Sequence, residues 1–272
     1  MTRALVALDL DGTVLHHDGT IDERLAGHIR ALFAAGHEII VSTGRSAGST
    51  VPVIERLGIR PAWVVCANGA VVLKRDPLAE RGYRREYVET FDTTDVLSRI
   101  STQLVTARYA VEDGAGLFRY TEEIPDTTLL GAKKQVTFPE LLGVQATRVV
   151  VFSPDHRLED FLDIVEDIGL HHVSYSIGWT AWLNIAPEGV TKASALERLR
   201  GMLGIDRANL VAAGDGRNDI EMLTWAARHG HAIAMGQGPA EVQAVATTVT
   251  GTIDEGGLTA ALEARFPELA ER

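Results

Sequence analysis

The chain opens on Ala4-Leu5-Val6-Ala7-Leu8, apolar on both faces, a pattern that predicts a central strand of a parallel sheet. A polar stretch follows, in which Thr20 and Glu23 read as a capping box at the start of a helix. The apolar residues Leu25, Ile29, Leu32 and Phe33 recur at helical spacing, and Gly36 ends that helix. Ile39-Ile40-Val41 predicts a second buried strand, Val53, Ile54 and Leu57 a helix closed by Gly58, and Trp63 to Cys66 a third strand. Strands and helices in alternation are the grammar of a parallel sheet covered by helices.

The pattern then changes. Asn68-Gly69 is a strong turn signal, followed by a strand from Ala70 to Leu73. From about Leu78 to about Leu183 the chain is more polar, with a strand over Arg148 to Phe152 and an amphipathic helix over Leu158 to Ile168. Alternation resumes with a helix from Ala193 to Leu203, a strand from Leu210 to Ala213 and a helix around Met222. A strand over Ala232 to Ala234 and a last helix from Leu258 to Ala264 complete the chain, with no repeat or low-complexity segment. These elements predict an α/β protein: a Rossmann-like parallel-sheet core from residues 1–80 and 185–272, and an inserted α+β domain at 81–184. An insertion of that length is usually functional, often a lid.

With 272 residues, 46% of them hydrophobic and 23% charged, the chain is globular in composition. Its formal net charge of −11 argues against general affinity for nucleic acid or anionic membrane, so an anionic substrate must be drawn in by local cations. Cys66 is the sole cysteine, which fits a reducing cytoplasm, and its apolar neighbours make it a buried core thiol. The N-terminal residues lack a signal-peptide pattern, and no stretch approaches the ~20 apolar residues of a spanning helix. The expectation is a soluble, cytoplasmic protein whose oligomeric state is open.

Ligands of open α/β sheets bind beyond the carboxyl ends of the strands. Four polar clusters fall at such ends or at helix starts: Asp9-Leu10-Asp11-Gly12-Thr13, Ser42-Thr43-Gly44-Arg45, Thr191-Lys192, and Gly214-Asp215-Gly216-Arg217-Asn218-Asp219. Each alone has a plain structural reading as turn, cap or solvated charge. Their conjunction predicts a site. Asp9, Asp11 and Asp215 brought together would repel by roughly 4 kcal/mol per pair at ~4 Å, so a cation must neutralise them. Carboxylate oxygens without histidine or cysteine favour Mg2+. Asp9, at the strand end, is placed to attack phosphorus and form an aspartyl-phosphate. Asp11, two residues on and facing the same way, is placed to protonate the leaving oxygen and then to activate water. Thr43 and Lys192 would hold the phosphoryl oxygens. Mg2+ would be held by Asp9, Asp215 and the backbone carbonyl of Asp11, with Asp219 acting through a bound water or by orienting Lys192.

The chain resembles the haloacid dehalogenase-like phosphatases, and among them the Cof-type group with a large α/β cap. The resemblance rests on Asp9-Leu10-Asp11-Gly12-Thr13, Thr43-Gly44-Arg45, Asn68-Gly69-Ala70, Gly189-Val190-Thr191-Lys192 and Gly214 to Asp219, in that order across the core. It implies the aspartyl-phosphate mechanism, magnesium, a cap inserted between the second and third motifs, and Asn218 near the phosphate. Gly44 and Asp219 are expected beside it, and Arg45, Asn68, Trp182 and Asn184 are candidate substrate contacts. Two positions depart from the family pattern: Ala193 where glycine is frequent, and Asn184 where an acid is common. Asn184 is near enough to the expected pocket to affect which substrate fits.

Other features carry less. Asp18-Gly19-Thr20 echoes the first motif without a buried strand before it and reads as a hairpin tip. The pairs His16/His17, His171/His172 and His229/His231 lack a third ligand at metal-site spacing and read as solvated. Trp179 and Trp182 line a pocket or pack in a core, and Arg45 touches substrate or braces its loop. The leading expectation is hydrolysis of a small phosphorylated metabolite, with sugar phosphates the class implied by the resemblance. A phosphomutase shares the same intermediate. A phospho-accepting regulatory domain would be shorter and would not need Asp11, and a degenerate binding protein would not retain every catalytic residue.

Overall fold

The computed structural model describes residues 2–124, 131–170, 172–177 and 180–269. The chain begins with β1 (Leu5–Leu8), α1 (Glu23–Ala34), β2 (Glu38–Ser42), α2 (Ala47–Leu57), β3 (Trp63–Cys66), β4 (Val71–Arg75) and β5 (Tyr83–Val88). There follow β6 (Phe91–Asp92), α3 (Thr94–Gln103), β7 (Arg108–Asp113), β8 (Phe118–Tyr120), β9 (Lys133–Gln135), β10 (Gln145–Phe152), α4 (Leu158–Ile168), β11 (Val173–Ile177) and β12 (Trp182–Pro187). The last part holds α5 (Lys192–Leu203), β13 (Leu210–Gly214), α6 (Ile220–Ala227), β14 (His231–Ala234), α7 (Ala240–Gln243), β15 (Thr248–Val249) and α8 (Gly257–Arg265).

The first sheet has eight strands in the order β15-β14-β13-β1-β2-β3-β4-β5, parallel from β15 through β3 and then antiparallel. Successive residues of β1 point to opposite faces. Val6 and Leu8 pack with Leu25, Ile29 and Leu258 of α1 and α8, while Leu5 and Ala7 pack with Leu196, Leu199 and Met222 of α5 and α6. The result is an α/β/α sandwich whose strands are apolar on both sides, as the sequence pattern predicts. Cys66 is buried in this sandwich, and burial pushes its thiol up to about 12.

The second sheet, in the order β11-β12-β10-β7-β8-β9 with β6 against β10, is mostly antiparallel. Helices α3 and α4 cover one face, where Leu97, Ile100, Phe161 and Val165 meet Val111, Val149, Val151 and Ile185. Its other face turns toward the first sheet and forms the inserted α+β cap. β5, up to Val88, belongs to the first sheet, and β12, up to Pro187, to the second. The physical reason is pairing: β5 continues the β3–β4 meander, and β12 pairs with β10.

One helix start differs from the sequence expectation. The N-cap of α1 is Asp22, whose carboxylate accepts from the Leu25 amide at 2.8 Å, while the Thr20 hydroxyl donates to Asp18 at 2.6 Å. Asp22 is one residue from the helix and satisfies the free amide directly, so the Thr20–Glu23 box is not formed. Asp18-Gly19-Thr20 closes a tight loop, with the His16 amide donating to the Thr20 carbonyl at 3.0 Å.

Candidate active site

Parallel strands in register deliver their carboxyl ends to one edge. Asp9 follows β1, and its amide donates to the Ala213 carbonyl of β13 at 3.0 Å. That bond places Asp9 beside Asp215, the residue directly after β13 and two after Ala213. Thr43 follows β2, and its amide donates to the Val65 carbonyl of β3 at 2.9 Å. Lys192 is the first residue of α5, behind Thr191, whose side chain accepts from the Ser194 amide as the helix cap.

Asp9, Thr43, Lys192, Asp215 and Asp219 are all buried. Lys192 is wholly enclosed, and its Nζ donates to Asp9 Oδ1 and to Asp219 Oδ1, each at 2.6 Å. Asp219 Oδ2 accepts from the Asp215 and Gly216 amides at 3.1 and 3.0 Å, so Asp219 fixes both the lysine and the loop that carries Asp215. Burial alone would lower the lysine's affinity for its proton, yet Asp219 and Asp9 more than offset this and hold it charged.

The acidic side lacks such balance. Burial, reinforced by Asp219, raises the Asp9 carboxyl to about 7 despite the pull of Lys192. Burial together with Asp9 and Asp219 raises Asp215 to about 8. One oxygen from each of Asp9, Asp215 and Asp219 lies within 4.8 Å of the others. Three buried carboxylates against one ammonium leave an excess of negative charge, and their donor atoms are all hard oxygens. That composition fits a divalent cation such as Mg2+. Gly12 makes the cluster possible: its φ is +78°, and a β-carbon there would come within 2.0 Å of Asp215 Oδ2.

Asp11 behaves differently. Its carboxylate is half exposed and accepts from Arg45 Nε at 2.8 Å and from Arg45 Nη2, a two-point fork. The carboxylate of Asp11 therefore lies outside the three-acid cluster, and Arg45, left between two roles by the sequence, braces Asp11. The Arg45 amide donates to the Thr43 hydroxyl at 3.1 Å. Asn68 joins the site through Asn218, whose amide donates to Asn68 Oδ1 at 3.1 Å. Beside Lys192 opens a cavity of about 180 Å3, walled on the core side by Asn68, Asn218 and Glu221 and on the cap side by Ser174, Ser176 and Asn184. Trp182, two residues from Asn184 on the same strand face, packs on Phe152 with ring centroids 5.9 Å apart, so Asn184 reaches the cavity wall and Trp182 does not line it. Trp179 and His171 fall outside the described residues.

A family model for haloacid dehalogenase-like hydrolases matches residues 6–262. The chain belongs to that family. Among its relatives, the 5-amino-6-(5-phospho-D-ribitylamino)uracil phosphatase YitU of Bacillus subtilis is 28% identical over 269 residues, covering 96% of this chain and 97% of that one. Phosphatase YwpJ of the same organism is 26% identical over 284 residues, 93% of this chain and 96% of the other. Among solved structures, a sugar phosphatase of subclass IIB of this hydrolase superfamily superposes with a TM-score of 0.79 at 20% identity, covering 97% of this chain and 99% of the other. A haloacid dehalogenase-like hydrolase from B. subtilis gives 0.76 at 24% identity, over 96% and 99%. The last two share the fold, core and cap together.

Several residues of this hydrolase site have no counterpart in the sequence expectations. Gln237 donates to the Gly12 carbonyl and reaches Asp215 Oδ2 at 3.5 Å. It follows β14, so the strand-end rule that located Asp9 and Asp215 also pointed to it. Ser174, Ser176 and Glu221 have no such signal. Among the described residues, the histidines expected to be solvated are not in the acidic cluster: His16 pairs with Asp254 at 3.0 Å and His172 with Glu188 at 3.5 Å.

Proposed function

We propose that this enzyme, a phosphatase like its relatives, hydrolyses a small phosphate monoester, a sugar phosphate or similar metabolite, through an aspartyl-phosphate on Asp9. The observation that carries the reading is the Asp9–Lys192–Asp219 chain beside Asp215 at the carboxyl edge of the parallel sheet. Lys192 occupies one oxygen of Asp9 and pulls against the burial that favours its protonated form, leaving the other oxygen as the nucleophile. That oxygen forms a bond to phosphorus as the bond to the leaving oxygen breaks. Asp11, at the open side of the site, gives the leaving oxygen its proton. It then takes a proton from the water that cleaves the acyl phosphate and frees inorganic phosphate. Thr43 and Lys192 hold the transferring oxygens, with Gly44, Asn218 and Asp219 around them.

Mg2+ would be held by Asp9 and Asp215, with the Asp11 carbonyl and Asp219 beside it, and would supply the positive charge that lets a phosphate dianion approach three carboxylates. Asn184 and Asn68, with Arg45 at the rim, would set which alcohol fits, and Trp182 would shape the cap behind them. The insert, with the core closing from both ends of the chain, acts as a lid that excludes water and bulky substrates, in keeping with a cytoplasmic enzyme of small metabolites. Incubating the purified protein and MgCl2 with a panel of phosphorylated metabolites tests this. Inorganic phosphate should accumulate in step with substrate loss. Substrate converted to an isomer with no phosphate release would identify a mutase instead.

A further inference from the structure

Phosphatase chemistry accounts for the buried charges at the sheet edge but leaves a second set unexplained. Arg148 and Glu112 lie on the cap strands β10 and β7 and are 2% and 1% exposed. Arg148 Nη2 stands 3.3 Å from Glu112 Oε2, and Arg85 of β5 stands 3.8 Å from Glu112 Oε1. The guanidinium of Arg148 lies 5.2 Å from the centre of the Phe118 ring. Neighbours on the same cap face include Ala110, Phe118 and Val150, so apolar residues could have filled the position. A buried ion pair is weak support for stability compared with apolar packing, and a role elsewhere explains it better.

That role is visible in the hydrogen bonds of the loop at residues 43–45. The Thr43 carbonyl accepts from the Asn68 amide at 3.0 Å and the Arg45 carbonyl from the Ala67 amide at 2.8 Å, both within the core. The carbonyl between them, on Gly44, accepts from Arg148 Nη1 of the cap. This carbonyl and the Arg45 amide belong to one peptide unit, and the Arg45 amide donates to the Thr43 hydroxyl. A cation on the oxygen end of a peptide strengthens the donor at its nitrogen end. The Thr43 oxygen is then engaged as an acceptor, and its own proton is left to point at the substrate.

We propose that Arg148 is a positioning residue for phosphoryl transfer: from the cap, through the Gly44–Arg45 peptide, it orients the hydroxyl of Thr43, so that this donor is fully set only when the cap is closed. Glu112 and Arg85 hold Arg148 in place. The inference rests on the phosphatase reading, and the experiment separates the two.

Steady-state hydrolysis of p-nitrophenyl phosphate with MgCl2 is compared for the wild type, Arg148→Met, Arg148→Lys, Thr43→Val and the Thr43→Val/Arg148→Met pair. Arg148→Met should lower kcat on the order of tenfold with KM nearly unchanged, and Arg148→Lys, which keeps a cationic donor, should recover part of it. The pair should be no slower than Thr43→Val alone, because both changes break one chain. If Arg148→Met does not fold, Arg148→Met/Glu112→Gln, which removes the buried carboxylate together with its nearest cation, replaces it in both roles, with thermal unfolding as the check. Wild-type kcat in the Arg148 variants, or effects of Thr43 and Arg148 that multiply independently, would overturn the inference and leave the phosphatase reading standing. A wild-type protein that releases no phosphate would overturn both.

Discussion

Asp9 and Asp215 are raised to about 7 and about 8 because they are buried close to one another and to Asp219, and this sets how the site responds to pH. A carboxyl raised in the folded state costs nothing while protonated and penalises folding progressively as pH climbs through its folded value. Metal-free protein should therefore lose stability between about pH 4 and pH 8 from these two groups. Mg2+ must displace their protons below about pH 7 and finds both groups ionised only above about pH 8. The rise in melting temperature on adding MgCl2 should be clearly larger at pH 8 than at pH 5, and an equal rise at both would contradict the charge state described for the cluster. At this scale the sequence is most informative where polar residues coincide with a strand end or a helix start: Asp9 and Lys192 are hydrogen-bonded, and Asp215 lies in one carboxylate cluster with Asp9. Arg148 and Glu112 were not legible, because their partners lie 104 and 36 residues away and no local pattern marks them.

Among elements, those with a clear apolar pattern are legible in the sequence: the two-sided strand β3 and the one-sided helix α4 span the expected residues, and β1 differs by one. The edge strands of the cap escaped, since β9 is exposed throughout and has no alternation to read. The turn at Asn68-Gly69 was legible as a turn but not as a joint. There Ala67 and Asn68 take φ of +49° and +52°, and Gly69 takes +107°. A β-carbon on Gly69 would come within 2.3 Å of the Thr191 carbonyl, at the start of the helix that carries Lys192. Gly69→Ala should lower the melting temperature and move Lys192, cutting kcat more than substitution of a distant surface residue. The comparison takes one melt and one rate measurement, and a variant with normal kcat would show that α5 tolerates the push.

For the whole molecule, the two sheets meet at one edge, and the site is built from both: acids, hydroxyl and lysine from the core, Asn184, Ser174 and Ser176 from the cap. Sequence alone separated core from insert but could not orient the insert, because the contacts that do so are side chains meeting across long separations. The molecule carries a net charge of −11, while a phosphate monoester is an anion. Long-range repulsion should slow encounter, and salt should relieve it within a Debye length of about 8–10 Å. At fixed MgCl2, kcat/KM should increase as KCl is raised from low to physiological strength, and a fall would mean that local cations dominate the approach. The most direct test of the account is phosphate release by Asp9→Asn in MgCl2, with unfolding measured alongside. The account predicts a folded protein with turnover abolished; a folded protein with near-normal turnover would show that Asp9 is not the group that takes the phosphoryl.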